Sequence, residues 1–165
     1  MDTPELDELW DYSDPAASEA CFRQRLSDLS TEADPALLAE AQTQLARSQG
    51  LQRHFEEAHA TLDQVEAHLA AMPARVRIRY ALERGRVFNS SGQPERAVPL
   101  FESAWEQARA AGEDGLAVDA AHMLGIAEPG EQGIAWNLKA LDLARTSSQL
   151  GANRWQGSLY KLFEA

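Results

Sequence analysis

Asp119 and His122 stand three residues apart, the spacing that puts two side chains on one face of a helix. An imidazole beside a carboxylate offers three kinds of chemistry. The carboxylate can fix the ring by a surface hydrogen bond, the two can contact a partner, or both can ligate a metal. No third ligand accompanies them, and the sequence supplies no nucleophile for His122 to activate as a general base. His54 and His59 are five apart and do not share a helix face as a zinc pair does. Both are expected in solvent, His54 at a turn and His59 on an outer surface. His68 falls late in its expected helix, where positive charge suits the helix dipole. The chain carries no Gly-rich phosphate loop, no GxSxG, no paired-cysteine motif and no HExxH. The expectation is therefore a protein that is not an enzyme and uses neither cofactor nor metal. A metal-dependent enzyme using Asp119 and His122 is the least favoured alternative.

Composition narrows the partners. The chain has 165 residues and a formal net charge of −11, with 44% hydrophobic residues. That length and apolar content suffice for one domain with a core. Phosphate contacts need clustered Lys and Arg, so this balance argues against nucleic acid and against an anionic membrane surface. No apolar run approaches the ~20 residues of a membrane span. The start, Met1-Asp2-Thr3-Pro4-Glu5, lacks the basic and apolar parts of a signal peptide. A single cysteine, Cys21, cannot form an internal disulfide. These features predict a cytoplasmic protein.

The elements that position these side chains read as helices throughout. Residues 1–13 form an acidic arm, expected to be loose, with Trp10 tucked against the first helix. Asp14-Pro15 and Asp34-Pro35 each give an N-cap followed by proline at the first helical position. The spacing predicts helices over 14–30, 34–49, 53–70, 74–91, 94–111, 116–127 and 132–147, and a last one after Leu150-Gly151. No run alternates apolar and polar residues long enough for a sheet. Trp105, Trp136 and Trp155 stand at helical spacing from other apolar residues, which favours core packing over a binding surface.

Gly85 to Ala104 is the most informative stretch. Gly85 admits a close neighbour, Phe88 fills the space one turn on, Gly92 suits the left-handed residue that ends a helix, and Pro94 suits the next first turn. Ala97, Phe101 and Ala104 then form one stripe. Similar patterns occur at Leu45-Ala46 with Ala58, Leu62 and Val65, and at Leu124-Gly125 with Asn137, Leu141 and Ala144. Their last stripe residues, Val65, Ala104 and Ala144, lie 39 and 40 residues apart. At these positions the chain resembles a tetratricopeptide repeat, whose usual period is about 34. It departs from the pattern at Arg84, where Leu is usual, at Gln49 and Glu128, where an aromatic is usual, and at Asn137, where Ala is usual. Gly85–Ser90, Asp119–Leu124 and Trp136–Leu141 are similar to bacterial tetratricopeptide proteins of uncharacterised role.

The resemblance implies an all-α solenoid of antiparallel helix pairs wound into a right-handed superhelix. About three pairs, an extra N-terminal helix and a C-terminal half repeat would occupy residues 14–165. It implies a scaffold that binds a protein or peptide in a concave groove, with a ligand-responsive signalling regulator as the alternative. Carried across by register, the groove holds Glu40, Thr43, Arg47, Arg79, Leu82, Arg86, Asn89, Asp119, His122, Ile126, Ser158 and Lys161. The partner-binding candidates are Arg47, Arg79, Arg86, Asn89, Asp119, His122 and Lys161. Arg forks onto carboxylates, so acidic groups on the partner suit this set. The competing reading pairs the arginines with internal acids such as Glu40 or Glu83. At the other end, Trp155, Leu159, Leu162 and Phe163 form an apolar stripe, expected to join two copies as a homodimer.

Overall fold

A computed structural model describes residues 6–29 and 33–164. The first five residues of the arm, the expected helix end at Ser30 and Ala165 lie outside the described residues. Among the described residues the chain is helical, without strands. Its helices are α1 (Pro15–Asp28), α2 (Pro35–Leu51), α3 (Phe55–Glu66), α4 (Ala74–Ser90), α5 (Pro94–Ala111), α6 (Asp114–Ala127), α7 (Glu131–Thr146), the single turn α8 (Leu150–Asn153) and α9 (Gln156–Glu164). No helix among these residues is long and apolar enough to cross a membrane.

The local signals explain most boundaries. The Asp14 carboxylate accepts from the Ala17 N–H, and that of Asp34 from the Ala36 N–H, both at 3.0 Å. Each satisfies a donor that the first helical turn leaves open. Gly92 takes φ +82°, and the next N–H, of Gln93, returns to the Phe88 carbonyl at 2.9 Å. That reversal closes α4 and starts α5 at Pro94. Between α2 and α3 Arg53 does the same job at φ +65°, and the His54 N–H returns to the Gln49 carbonyl at 2.9 Å. Three expectations change. α3 stops at Glu66 and a short 3-10 turn covers Leu69–Ala71, so His68 lies beyond the helix end rather than in its last turn. α6 begins two residues early, at Asp114. The final helix is broken at Arg154-Trp155.

Packing follows chain order. Each helix from α1 to α7 packs on the next, and α2, α4 and α6 also pack side by side, with α8 against α6 and α9 against α7. The core divides along that row. Leu6, Phe22, Ala41 and Leu45 form one cluster, Ala46, Ala58, Leu62, Val65 and Val76 a second, and Phe101, Ala104, Leu116 and Leu124 belong to a third and larger one. Ala97, Phe101 and Ala104 are fully buried, as are Ala58 and Leu62 in the preceding unit. Full burial of a side chain such as Phe101 contributes about 1.5–3 kcal/mol. In α7 the buried residues are Gly133, Ala140, Leu143 and Ala144, while Leu141 and Asn137 are only half covered. Asn137 replaces a small residue and fits because Gly125 stands opposite, where a Cβ would lie 2.5 Å from its amide.

The arm is not loose over its described part. Leu6 is buried, and Trp10 meets the Phe22 ring edge-on at 5.0 Å while its indole N–H donates to Gln44 Oε1 at 3.0 Å. The Asp11 N–H donates to Ser18 Oγ at 2.7 Å. The arm thus ties to both α1 and α2.

Candidate functional site

Ion pairs link α2, α4 and α6. Glu40 of α2 accepts a hydrogen bond from Arg75 at 3.0 Å and forms an ion pair with Arg79 at 2.9 Å, both arginines standing on α4. Arg75 also reaches Glu113 at 2.7 Å, just before α6, and Arg79 approaches Asp7 of the arm at 3.9 Å. Two turns beyond Arg79 on α4, Arg86 binds Glu83 at 2.6 Å and Asp119 of α6. Arg79, Glu83 and Asp119 are buried. The competing reading of the sequence is thus realised at two positions: Arg79 and Arg86 are occupied by internal acids, Glu40 and Glu83 among them. Arg47 stacks at 5.3 Å on both Trp10 and Tyr12. Asn89 is half-buried near the end of α4, and Lys161 is exposed on α9. The row therefore brings Arg47, Arg79, Arg86, Asn89, Asp119 and His122 onto α2, α4 and α6, while Lys161 sits on a helix that packs on α7. Other residues assigned to the groove are buried outright, Thr43 and Leu82 among them.

Asp119 and His122 do not form the local pair their spacing suggested. Asp119 is taken by the Arg86 guanidinium, a permanently charged donor, rather than by the imidazole three residues away. Burial pushes the Asp119 carboxyl upward, but Arg86 and Arg47 outweigh it and hold its pKa below the ordinary value. His122 instead places Nδ1 at 3.4 Å from Asn137 Oδ1 and its ring 5.3 Å from that of Trp155. Among the described residues no cluster of three or more His, Cys, Asp or Glu side chains is placed to hold a metal ion.

A second polar group was not visible in the sequence. Arg84, at a position where the repeat pattern expects Leu, is buried between α3 and α4. It donates to Asp63 at 2.6 Å, to the Tyr80 hydroxyl at 3.2 Å and to the His59 carbonyl at 3.2 Å, and it meets His59 Nδ1 at 2.8 Å. His59 is therefore not a solvated surface residue. Its ring lies 4.8 Å from Phe88. Burial first, then the neighbouring Arg84, lower its pKa below the ordinary 6.5 and favour the neutral imidazole.

The expected dimer edge divides in two. Leu159 is fully buried in the core and Trp155 packs against it. Leu162 at 46% and Phe163 at 43% relative exposure remain open, as does Leu150 at 74%. Leu159 is thus a core residue and not part of an edge, because its side of α9 is the one turned onto α7.

Two cavities flank the Arg86–Asp119 pair. One, of about 190 Å³, is lined by Arg47, Leu51, Glu83, Val87, Ser90 and Met123. The other, of about 340 Å³, is lined by residues that include Asp7, Arg75, Arg79, Glu113, Asp119 and Trp155. Both are walled by α2, α4 and α6 or by residues that pair with them. No family model, curated protein or solved structure matches the chain.

Proposed function

We propose that this chain is a non-enzymatic scaffold, a solenoid of antiparallel helix pairs of tetratricopeptide type, that binds a protein or peptide along the face shared by α2, α4 and α6. The observation that supports the reading most is that two of the molecule's cavities lie along that row, one beside Arg86 and one beside Asp119. A partner laid along this face can insert side chains at two points. Because Arg75, Arg79 and Arg86 are already paired, charge along the face is balanced. A partner is then recognised by shape and hydrogen bonds rather than by carboxylates alone. Selection of random displayed peptides against the protein, followed by mapping of the bound peptide from amide chemical shifts, tests this. Perturbed residues are expected on α2, α4 and α6. Enriched peptides that perturb α3, α5 and α7 instead, or an absence of enrichment, would refute it. Asn89 is the cleanest residue to probe, since it is half-buried and outside the ion pairs. Loss of its amide bonds in Asn89→Ala is expected to weaken a selected peptide about ten-fold.

We also propose that two copies meet at the C-terminal edge through Leu162 and Phe163, the open part of the stripe. Light scattering behind size-exclusion chromatography is expected to give twice the 18.2 kDa chain mass, and Leu162→Asp with Phe163→Asp should halve it. A chain-mass particle at tens of micromolar would rule this contact out. Leu159→Asp is unsuitable for the purpose, because it buries a charge in the core.

A further inference from the structure

An arginine keeps its proton in a protein, so it fixes the protonation of a group that accepts from it. Arg84 Nη1 lies 2.8 Å from His59 Nδ1. Two hydrogens cannot share that line, so Nδ1 presents its lone pair and the ring proton is on Nε2. The contact exists only with the neutral imidazole. A proton on Nδ1 would remove the hydrogen bond and set two cations 2.8 Å apart. The same guanidinium donates to the His59 carbonyl and to Asp63, and it reaches Glu66 at 3.5 Å. Arg84 of α4 thus gathers its polar contacts with α3 at one group.

The charged and titratable groups around the ring come from three helices. On α4 the Tyr80 hydroxyl accepts from Arg84, and burial raises its pKa above the ordinary value, so it stays neutral. On α5 Arg96 lies 4.0 Å from the centre of the Phe88 ring, the ring on which His59 packs, and is a second nearby cation. On α3 itself Asp63 and Glu66 favour the imidazolium. Their side chains are 67% and 58% exposed and both already face Arg84, so water screens them. Burial and the two arginines outweigh these carboxylates at the ring.

We propose that His59 is a proton-operated latch on the seam between α3 and α4. Neutral, the ring ties α3 to Arg84. Protonated in mild acid, it releases Arg84 and loosens α3 on α4. In the opened or unfolded chain the ring takes its proton near the ordinary 6.5, and in the closed fold only at lower pH. Between the two values the open state holds more protons, so acid favours it. The stability that the latch contributes is whole above about 6.5 and is lost as pH falls through the folded value. Ala58, Leu62 and Val65 remain in the apolar cluster that also holds Val76 and Tyr80 of α4. Release therefore opens α3 locally and leaves the chain folded.

The test uses the whole chain. Ring nitrogen chemical shifts, read through the carbon-bound ring protons, report the tautomer of His59, and their titration reports its midpoint. The Nε2–H form is expected at neutral pH, with a midpoint below 6.5. Amide hydrogen exchange, expressed as protection relative to an unstructured chain, is then measured at about pH 7 and about pH 5. Protection of the Leu62 and Val65 amides on α3 is expected to fall about ten-fold for each unit by which the midpoint lies below 6.5. Protection of Phe101 and Ala104 on α5 is expected to hold. His59→Asn puts a carbonyl oxygen where Nδ1 stood, which accepts from Arg84 and does not titrate. Its α3 protection is expected to be the same at both pH values. Arg84→Met should bring the His59 midpoint up toward 6.5. Should that variant fail to fold, Arg96→Met, at an exposed residue, should move the midpoint the same way by less. The latch is overturned by an Nδ1–H ring at neutral pH or by a midpoint at or above 6.5. It is equally overturned if α3 protection is unchanged by acid, or if His59→Asn loses as much as the native chain.

Discussion

Gly85→Leu is expected to cost about 3 kcal/mol or more and to lower the thermal midpoint by roughly 6–12 °C. Gly85 lies on α4 where Phe101 of α5 crosses it. A Cβ built there would stand 2.5 Å from Cε1 and 2.8 Å from Cδ1 of the Phe101 ring. Phe101 is fully buried, so the ring has no open space to turn into. Even alanine must displace it, and that strain offsets the ~1 kcal/mol by which alanine outranks glycine inside a helix. Leucine adds three more carbons to the same seam, and α4 and α5 must part. The cause can be isolated by a second change. Phe101→Ala opens space at the same place, so Gly85→Leu with Phe101→Ala should be less destabilised than the sum of the two single changes. Thermal melts of the four proteins decide it. An unchanged midpoint for Gly85→Leu would mean that the two helices do not meet at Gly85.

Much of this seam could be read from the sequence because its signals are local. Gly85, Gly92, Pro94 and Phe101 lie within seventeen residues, and each acts on its own turn or the next helix. Asp14-Pro15 and Asp34-Pro35 fixed their helix starts for the same reason. What stayed hidden depends on partners far along the chain. Arg84 looks like a misplaced charge until Asp63 and His59, on the preceding helix, are seen to enclose it. Asp119 was matched with His122 because both lie on one face, yet its partner is Arg86, thirty-three residues earlier. Leu159 and Leu162 look equivalent on a helical stripe. Only the side on which α9 meets α7 separates the buried residue from the exposed one. Helix periodicity marks which residues are apolar together, and it is silent on which of two flanks a neighbour covers. By register the sequence implies an arginine-lined face on α2, α4 and α6, where Arg79 and Arg86 are paired with acids. Its acids come from α2, α4 and the start of α6, and so the net charge of that surface could not be read from α4 alone.

Arg86→Met is expected to cost about 3–5 kcal/mol at neutral pH, because it leaves two buried carboxylates, Glu83 and Asp119, without their shared cation. The pH dependence carries the sharper signature. In the native protein Asp119 has its pKa held below the ordinary value. A carboxyl depressed in the folded state contributes stability that is present above its unfolded value of about 3.9 and is lost as pH falls through the folded value. The unaltered pair therefore stabilises the fold throughout the neutral range and fails only in acid. Removing the guanidinium reverses the sign. Burial, which already acts upward on Asp119, then meets weaker opposition, with Arg47 the remaining nearby cation. The folded pKa rises above the unfolded one, and the folded state binds more protons than the unfolded chain. Stability of Arg86→Met relative to the native protein should then increase as pH is lowered from 7 to 5. Urea unfolding of both proteins at the two pH values measures it, with the difference between them cancelling the other carboxylates. A variant whose deficit is the same at pH 5 and pH 7, or is below about 1 kcal/mol, would show that water reaches Glu83 and Asp119 and that the pair is a surface contact. Arg86→Glu is expected to be worse at neutral pH, since it gathers three carboxylates in one buried place, and acidification should rescue it more strongly. For this reason a loss of partner binding in Arg86→Glu carries no information about the binding face, whereas Asn89→Ala does.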